Sequence, residues 1–230
     1  MDAREVIDRL EELASPGRVA FKAEKFGISA RHALGVDQKE LAVLARELKT
    51  DNDLAIALFD TGIYEARLLC SKIFDPRDLS EALMERWVVT FENWEICDSF
   101  CMGFFAKSAH ALEKIERWSC REELFVKRAA FSIIASYGFA HKEAGNEIFA
   151  GFLPLITRAA DDERHYVKKA VNWALRNIGK RNRDLHREAL RVAMELRSAS
   201  RKTTRWIGSD AARELEKPGT KMLDYPRSIY

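Results

Sequence analysis

Helical spacing of apolar residues is the feature that most constrains how this chain folds. Through most of its length apolar side chains recur every three or four residues, as Leu41, Leu44 and Leu48 do, which places them on one face of a helix. No segment shows the strict alternation of a half-buried strand, and no Asn-Gly hairpin signal occurs. Only five prolines and eleven glycines interrupt 230 residues. The sequence therefore predicts an all-α fold.

Capping and turn residues indicate where several of these helices begin and end. Asp37 precedes an apolar helical pattern and is a suitable N-cap. A helix over about 121–137 is predicted to end at Gly138 as its C-cap, and Pro154 is a candidate kink in a later helix. The carboxylates of Asp161–Asp162 suit the N-terminus of the helix after it.

Short helices joined by short turns favour paired helices stacked side by side. HEAT-type repeats have a period of roughly 40 residues and diverge strongly in sequence. No clean internal repeat is visible, so periodicity alone leaves both a solenoid and a compact bundle open. We expect a single domain over residues 1–217, followed by a loosely ordered tail over 218–230, which contains two prolines.

The chain lacks the sequence features of secreted and membrane proteins. Its first residues are charged throughout, and no uninterrupted apolar run is long enough to cross a bilayer. A cytoplasmic location is therefore expected. The four cysteines do not have the paired spacing of a zinc site, and we expect them to be reduced and packed in the core: Cys70, Cys97, Cys101 and Cys120.

Positive charge is concentrated in one stretch of the chain. Residues 1–157 carry 20 Lys and Arg against 26 Asp and Glu, whereas residues 158–205 carry 14 against 6. The total of +2 hides this asymmetry. Such a stretch attracts a polyanion. A solvated helical face with locally paired charges explains it equally well.

Three segments together resemble the AlkD-type DNA alkylation repair family, the HEAT-like-repeat alkylpurine DNA glycosylases. Asn93–Ser99 (NWEICDS) resembles that family's Trp-Asp-x-x-x-Asp-type helix, and Phe125–Ala130 (FVKRAA) resembles its Arg-Ala-Ala helix. Val167–Arg176 (VKKAVNWALR) is similar to its Lys-Ala-x-x-Trp-x-Leu-Arg segment and is the most distinctive. The order and spacing also agree, and the resemblance covers roughly residues 20–195.

The resemblance implies a fold, an activity and a set of site residues. The fold is a HEAT-like helical repeat, an α-α superhelix with a concave DNA-binding face. The activity is excision of alkylated purines from duplex DNA, without a dedicated pocket for the base. The implied catalytic residues are Trp94, Asp98, Arg128 and Trp173. Two positions depart from the family pattern: Glu95 stands where the pattern has Asp, and Phe26 stands where some members have an aromatic hydroxyl.

The spacing of Trp94 and Asp98 fits this chemistry. Residues four apart share one helix face, so an indole and a carboxylate occupy one small patch. A purine alkylated at N3 or N7 is cationic, and the sugar gains oxocarbenium character as the glycosidic bond breaks. A fixed carboxylate stabilises that charge and can orient water. By spacing alone, Trp94 and Trp173 also fit a packed core and Asp98 fits a structural hydrogen bond; the resemblance favours function.

A second helix face carries a possible phosphate-binding strip. Lys169, Trp173 and Arg176 lie at i, i+4 and i+7. Phosphate contacts from such a strip would position a duplex without reading its sequence. The residues predicted to contact DNA are Lys127, Lys169, Arg176, Lys180 and Arg181.

No competing catalytic motif is present, and the five histidines are scattered without ligand-like spacing. We therefore expect no metal and no organic cofactor, and a monomer whose partner is double-stranded DNA containing alkylated bases. Two alternatives remain open: a noncatalytic helical-repeat module that recognises DNA shape or branched structures, and a HEAT scaffold that binds protein.

Overall fold

The computed structural model describes residues 1–227, and its regular structure over that range is entirely helical. The predicted all-α class is therefore confirmed. Seven α-helices come first: α1 (Ala3–Glu12), α2 (Pro16–Phe26), α3 (Gln38–Leu48), α4 (Asn52–Asp60), α5 (Tyr64–Ile73), α6 (Glu81–Val88) and α7 (Trp94–Gly103). Six follow: α8 (Ala111–Ser119), α9 (Leu124–Ala140), α10 (Asn146–Ala159), α11 (His165–Gly179), α12 (Arg183–Arg197) and α13 (Lys202–Leu215). Among the helices of residues 1–227, none is both long and apolar enough to cross a bilayer.

The chain divides by internal packing into two compact units, where the sequence predicted one domain over 1–217. The N-terminal unit is Met1–Ser108 and the C-terminal unit is Ala109–Tyr230. In the first, α5 packs against α3, α4 and α7. In the second, α9 packs against α8 and α11, and α12 packs against α13. Each unit therefore has the helix-on-helix layering of a repeat protein.

Side-chain caps begin several helices where the sequence placed them. The Asp37 carboxylate accepts a hydrogen bond from the Lys39 backbone nitrogen at 2.8 Å and caps α3. The side chain of Asn93 does the same for α7, accepting from the backbone nitrogens of Glu95 at 3.0 Å and Ile96 at 3.2 Å. Because Asn93 is also buried, the start of α7 is fixed in both direction and position.

Two helix boundaries differ from the prediction. Gly138 is not a C-cap, since α9 continues through it to Ala140. A side chain there would crowd the Arg181 guanidinium, so this glycine serves close packing instead. Asp162 does not cap α11 either: its carboxylate accepts hydrogen bonds from the backbone and side chain of Arg164, and the helix begins one residue after Arg164.

The segment after residue 217 is attached to the C-terminal unit rather than loosely ordered over its described part. The Leu223 backbone nitrogen donates to the Lys180 carbonyl oxygen at 2.8 Å, and that of Tyr225 donates to the Arg181 carbonyl oxygen at 3.2 Å. Asn182 donates from its side-chain nitrogen to the Tyr225 carbonyl oxygen at 2.7 Å. Backbone pairing with the α11–α12 turn, which sequence patterns do not reveal, fixes residues 220–226. Residues 228–230 of the predicted tail lie outside the described range.

Three of the four cysteines are buried, as expected, but Cys120 is exposed. It follows α8 directly as the C-cap residue. Its sulfur lies 3.6 Å from a side-chain nitrogen of Arg158. The apolar face of α8 ends two residues earlier, at Trp118, which is why the expectation of a core position fails here.

Arg181 is a deeply buried cation of the C-terminal unit, at 1% exposure. Its guanidinium lies 3.9 Å from the centre of the Phe149 ring. It donates to four carbonyl oxygens at 2.7–3.2 Å, those of Gly138, His141, Lys142 and Ala144. The prediction that Arg181 contacts DNA phosphate is therefore wrong: the connection between α9 and α10 needs the guanidinium to satisfy its backbone.

Replacing Arg181 with methionine should destabilise the protein strongly. The change removes the donor to four carbonyl oxygens, and we expect a loss of about 3–5 kcal/mol in the free energy of unfolding, measured by urea denaturation. Arg187→Met, at an exposed position of α12, is the control and should cost less than about 0.5 kcal/mol. Equal effects of the two substitutions would contradict the structural role.

Two helical glycines should respond in opposite directions to alanine. At Gly208 an added Cβ would overlap the Arg197 backbone nitrogen and the Ala193 carbonyl oxygen, where α13 approaches α12 closely. At Gly151, in the exposed part of α10, it would meet nothing within 4 Å. We expect Gly208→Ala to lose about 1–3 kcal/mol by overpacking. Gly151→Ala should gain about 0.5–1 kcal/mol. Thermal melts of both variants test this, and a stabilising Gly208→Ala would refute the close approach.

Candidate nucleic-acid interface

Trp94 and Asp98 lie one turn apart on α7 in the N-terminal unit, and both are half-buried. The opposite side of the helix is core, with Ile96, Cys97 and Phe100 fully buried. The Trp94 indole nitrogen donates a hydrogen bond to the Phe26 carbonyl oxygen at 3.0 Å. The indole is therefore fixed in place, and Asp98 on the same side of α7 is a half-buried residue.

Phe26 ends α2 and is 50% exposed. Its contact with Trp94 uses the main chain, so this link does not depend on the hydroxyl that some family members carry at the aligned position. The exposed ring also meets Phe21 edge-on, with ring centres 5.6 Å apart. The departure at Phe26 therefore leaves an apolar surface at the end of α2.

Glu95 joins α7 to three other helices, a role that the sequence did not reveal. Its carboxylate accepts hydrogen bonds from Lys22 at 2.6 Å, from the Tyr64 hydroxyl at 2.8 Å and from Gln38 at 3.2 Å. Burial and the nearby Glu95 charge raise the pKa of Tyr64 far above its ordinary value, so the hydroxyl remains a donor. The only signal in the sequence was that Glu95 departs from the family pattern.

Arg128 and Trp173 belong to the C-terminal unit, on the packed pair α9 and α11. Arg128 is 6% exposed, and it donates to the Tyr166 carbonyl oxygen at 2.7 Å. Its guanidinium also lies 6.0 Å from the Tyr166 ring centre. Trp173 is half-buried on α11. The structure thus brings this pair onto neighbouring helices, and it gives Arg128 a contact that fixes the first turn of α11.

Acidic side chains pair with three of the cations expected to contact DNA. Glu214 of α13 forms ion pairs with Arg176 and, at 2.8 Å, with Lys180. Burial opposes ionisation of Glu214, but the hydrogen bond from Lys180 and the charge of Arg176 lower its pKa overall. Lys127 lies 3.1 Å from an Asp162 oxygen. Sequence reasoning missed these pairs because each partner lies more than 30 residues away along the chain.

Asp162 is held in its charged form by two cations. Burial opposes ionisation, but hydrogen bonds from Arg164 and Lys127 outweigh it and hold the pKa of Asp162 at about 2. The carboxylate therefore stays charged at neutral pH and keeps Lys127 engaged. The first turn of α11 is consequently tied to α9 both here and through Arg128.

Lys168 and Lys169 form the accessible part of the basic stretch on α11. Their ammonium groups lie 5.2 and 5.0 Å from the ring of Trp206 on α13. Within residues 1–227, no carboxylate forms an ion pair with either lysine. Burial and the charges of Lys169, Lys168 and Arg128 lower the pKa of His165, one turn earlier, so its imidazole is neutral at pH 7. Sequence reasoning missed Trp206, because its partners lie more than 30 residues earlier in the chain.

No cluster of three or more His, Cys, Asp or Glu side chains suited to metal binding occurs in residues 1–227. The N-terminal unit instead places a carboxylate and an indole on the same side of a helix. The C-terminal unit places two lysines against an indole ring. These arrangements bind cationic and anionic groups, respectively, through charge and aromatic faces.

Solved structures with similar folds were found for nearly the whole chain. One belongs to "a new family of proteins related to the HEAT-like repeat DNA glycosylases with affinity for branched DNA structures"; it is 18% identical, with a TM-score of 0.75 over 96% of this chain and 98% of that one. A designed armadillo repeat protein in complex with a (KR)4 peptide is 19% identical, with a TM-score of 0.38 over 77% of this chain and 74% of that one. The TM-score of the second structure is too low to indicate a shared fold, whereas that of the first confirms the predicted HEAT-like fold.

Comparison with curated proteins found no match. The sequence model of a family described as "DNA alkylation repair enzyme" matches residues 6–215. This range includes the three segments on which the resemblance rested, together with all thirteen α-helices in whole or in part. The chain belongs to the DNA alkylation repair enzyme family.

Proposed function

We propose that this protein is a DNA glycosylase that excises cationic N3- or N7-alkylated purines from duplex DNA. The observation that carries the proposal is the Trp94–Asp98 pair, an indole and a carboxylate on the solvent-accessible part of one helix. Family membership supplies the repair context.

Asp98 would act on the sugar rather than on the base. As the bond between C1′ and the purine nitrogen breaks, its electron pair leaves with the base, which becomes neutral. Positive charge develops at C1′ and on the ring oxygen, and the Asp98 carboxylate stabilises it. Water then attacks C1′, and its proton passes to Asp98 or to solvent.

Trp94 would offer its indole face to the same cationic region. A tryptophan face stabilises a nearby cation by about 0.5–2 kcal/mol, most when water is excluded. The hydrogen bond to the Phe26 carbonyl oxygen keeps the ring from rotating away, so the orientation is set before DNA binds. Trp173 is proposed as a second aromatic surface. Arg128 would act mainly by holding the first turn of α11, given its burial.

Duplex binding would rest on Lys168 and Lys169 more than on the remainder of the basic stretch. Arg176 and Lys180 already share an ion pair with Glu214, which offsets one of their two positive charges. Phosphate groups would instead meet the two lysines held beside Trp206. Such contacts grip the backbone irrespective of sequence, as a repair enzyme that surveys DNA requires.

A noncatalytic protein that recognises branched DNA is the second candidate. The structural neighbour at 18% identity is described as having affinity for branched DNA structures. The burial of Arg128, which limits its access to a phosphate, also fits a protein without full catalytic machinery. This candidate needs the lysines but not Asp98.

Asp98→Asn should slow base release from methylated duplex DNA by about a hundredfold or more, since it removes the charge that opposes the oxocarbenium ion. The measurement is single-turnover release of free 7-methylguanine and 3-methyladenine, with duplex affinity measured in parallel and expected to be unchanged. Asp8→Asn, at an exposed position of α1, makes the same charge change elsewhere and should release base at the wild-type rate.

Absence of base release by the wild-type protein, even in excess over DNA, would overturn the glycosylase proposal. If a four-way junction then also competed far better than linear duplex for binding, the branched-DNA candidate would replace it. Base release that is equally fast in Asp98→Asn would retain a glycosylase but exclude this carboxylate from its mechanism.

Lys169→Ala should weaken binding to undamaged duplex and lower the slope of log affinity against log salt by about 1, the value for one lost phosphate contact. Lys180→Ala should change both quantities less, because Lys180 is already held in an ion pair with Glu214. Fluorescence anisotropy across a salt series measures both variants. A larger effect from Lys180 than from Lys169 would show that the accessible cations have been assigned wrongly.

A further inference from the structure

A pocket of about 540 Å³ lies in the C-terminal unit, in the part closed by the segment after α13. Its volume falls within the range of small-molecule sites, roughly 300–1,000 Å³. One side comes from α9, α11 and α13, and the other from residues 217–223. The residues that line it and matter here are Phe139, Asn177, Lys180, Glu214, Lys217 and Lys221.

The second side of the pocket is formed by residues that the family's sequence model does not cover. The family match ends at residue 215, so residues 217–223 lie beyond it. The Thr220 hydroxyl donates to the Glu214 carbonyl oxygen at 2.8 Å, and the Leu223 backbone nitrogen donates to the Lys180 carbonyl oxygen at 2.8 Å. The segment is therefore held at both ends by hydrogen bonds, and it forms a fixed wall of the pocket.

The charge of the pocket is positive. Lys180 and Glu214 neutralise each other, and the second Glu214 oxygen pairs with Arg176. Lys217 and Lys221 are exposed on the wall, and no carboxylate within residues 1–227 forms an ion pair with them. Two ammonium groups therefore remain for an anion. Both oxygens of Glu214 are already engaged by cations of this chain.

An aromatic ring completes the pocket. Phe139, near the end of α9, is 50% exposed and contributes to the lining. An exposed phenyl face beside free lysines matches the two parts of a nucleotide, since bases stack on aromatic side chains and phosphates pair with cations. The Asn177 side chain, whose nitrogen donates to the Ala135 carbonyl oxygen, adds a fixed amide at the pocket wall.

We propose that this pocket binds a nucleoside phosphate unit, with the base on Phe139 and the phosphate between Lys217 and Lys221. The unit comes either from a free nucleotide or from an unpaired nucleotide of a DNA strand. The proposal does not rest on glycosylase activity, because none of these residues is assigned to base excision.

The test is isothermal titration of the full chain at low salt with four probes: deoxyadenosine 5′-monophosphate, deoxyadenosine, inorganic phosphate and a short oligo-deoxyadenylate strand. We expect saturable one-to-one binding of the monophosphate or the strand, with deoxyadenosine and phosphate each about tenfold weaker or worse. Binding by the monophosphate identifies a free nucleotide as sufficient, whereas binding by the strand alone identifies an unpaired nucleotide of DNA.

The double variant Lys217→Ala with Lys221→Ala should weaken the bound probe by about tenfold, and Phe139→Ala by about fivefold or more, the lower range for loss of a stacked base. The matched control is Lys25→Ala with Lys39→Ala, two exposed lysines of the N-terminal unit, which should bind like wild type. The proposal is overturned if neither nucleotide probe binds, if both double variants weaken binding equally, or if an Asp-rich peptide competes as well as the nucleotide.

Discussion

The buried guanidinium of Arg181 is the interaction on which the C-terminal unit depends. A carbonyl oxygen withdrawn from water needs a donor, and one side chain serves four of them, one in the last turn of α9 and three in the connection to α10. The backbone carbonyl oxygen of Arg181 also accepts a hydrogen bond from the Tyr225 backbone nitrogen. One arginine thus joins the end of α9, the start of α10 and the final described segment. Because these contacts engage its guanidinium inside the protein, Arg181 is not available to bind DNA.

Neutralisation of charge by distant carboxylates shapes the candidate DNA-binding surface. The stretch 158–205 has a large excess of cations, yet Glu214 pairs with Arg176 and Lys180, and Asp162 pairs with Arg164. The lysines beside Trp206 remain available, and the indole face stabilises two like charges close together. Positive surface potential is therefore focused at the first turns of α11, within the family segment that also contains Trp173.

The candidate catalytic residues show which features of a site the sequence pattern predicts and which it misses. The i, i+4 spacing of Trp94 and Asp98 correctly placed both on one side of α7, because helix geometry is local. It could not reveal that Asn93 is buried and caps that helix, or that a carbonyl oxygen 68 residues away holds the indole. Glu95 looked like a departure from a motif, and only its contacts with Lys22 and Tyr64 show that it joins helices.

The sequence by itself determined the helical class, the approximate bounds of most helices and the family, since apolar periodicity, capping residues and short motifs are local properties of the chain. Only the tertiary structure decided which charged side chains are free. Burial and ion pairing depend on residues far apart in the chain, such as Arg181 with Gly138 or Lys180 with Glu214. The same reason explains the wall formed by residues 217–223: its hydrogen bonds are to helix ends that no sequence pattern connects to it.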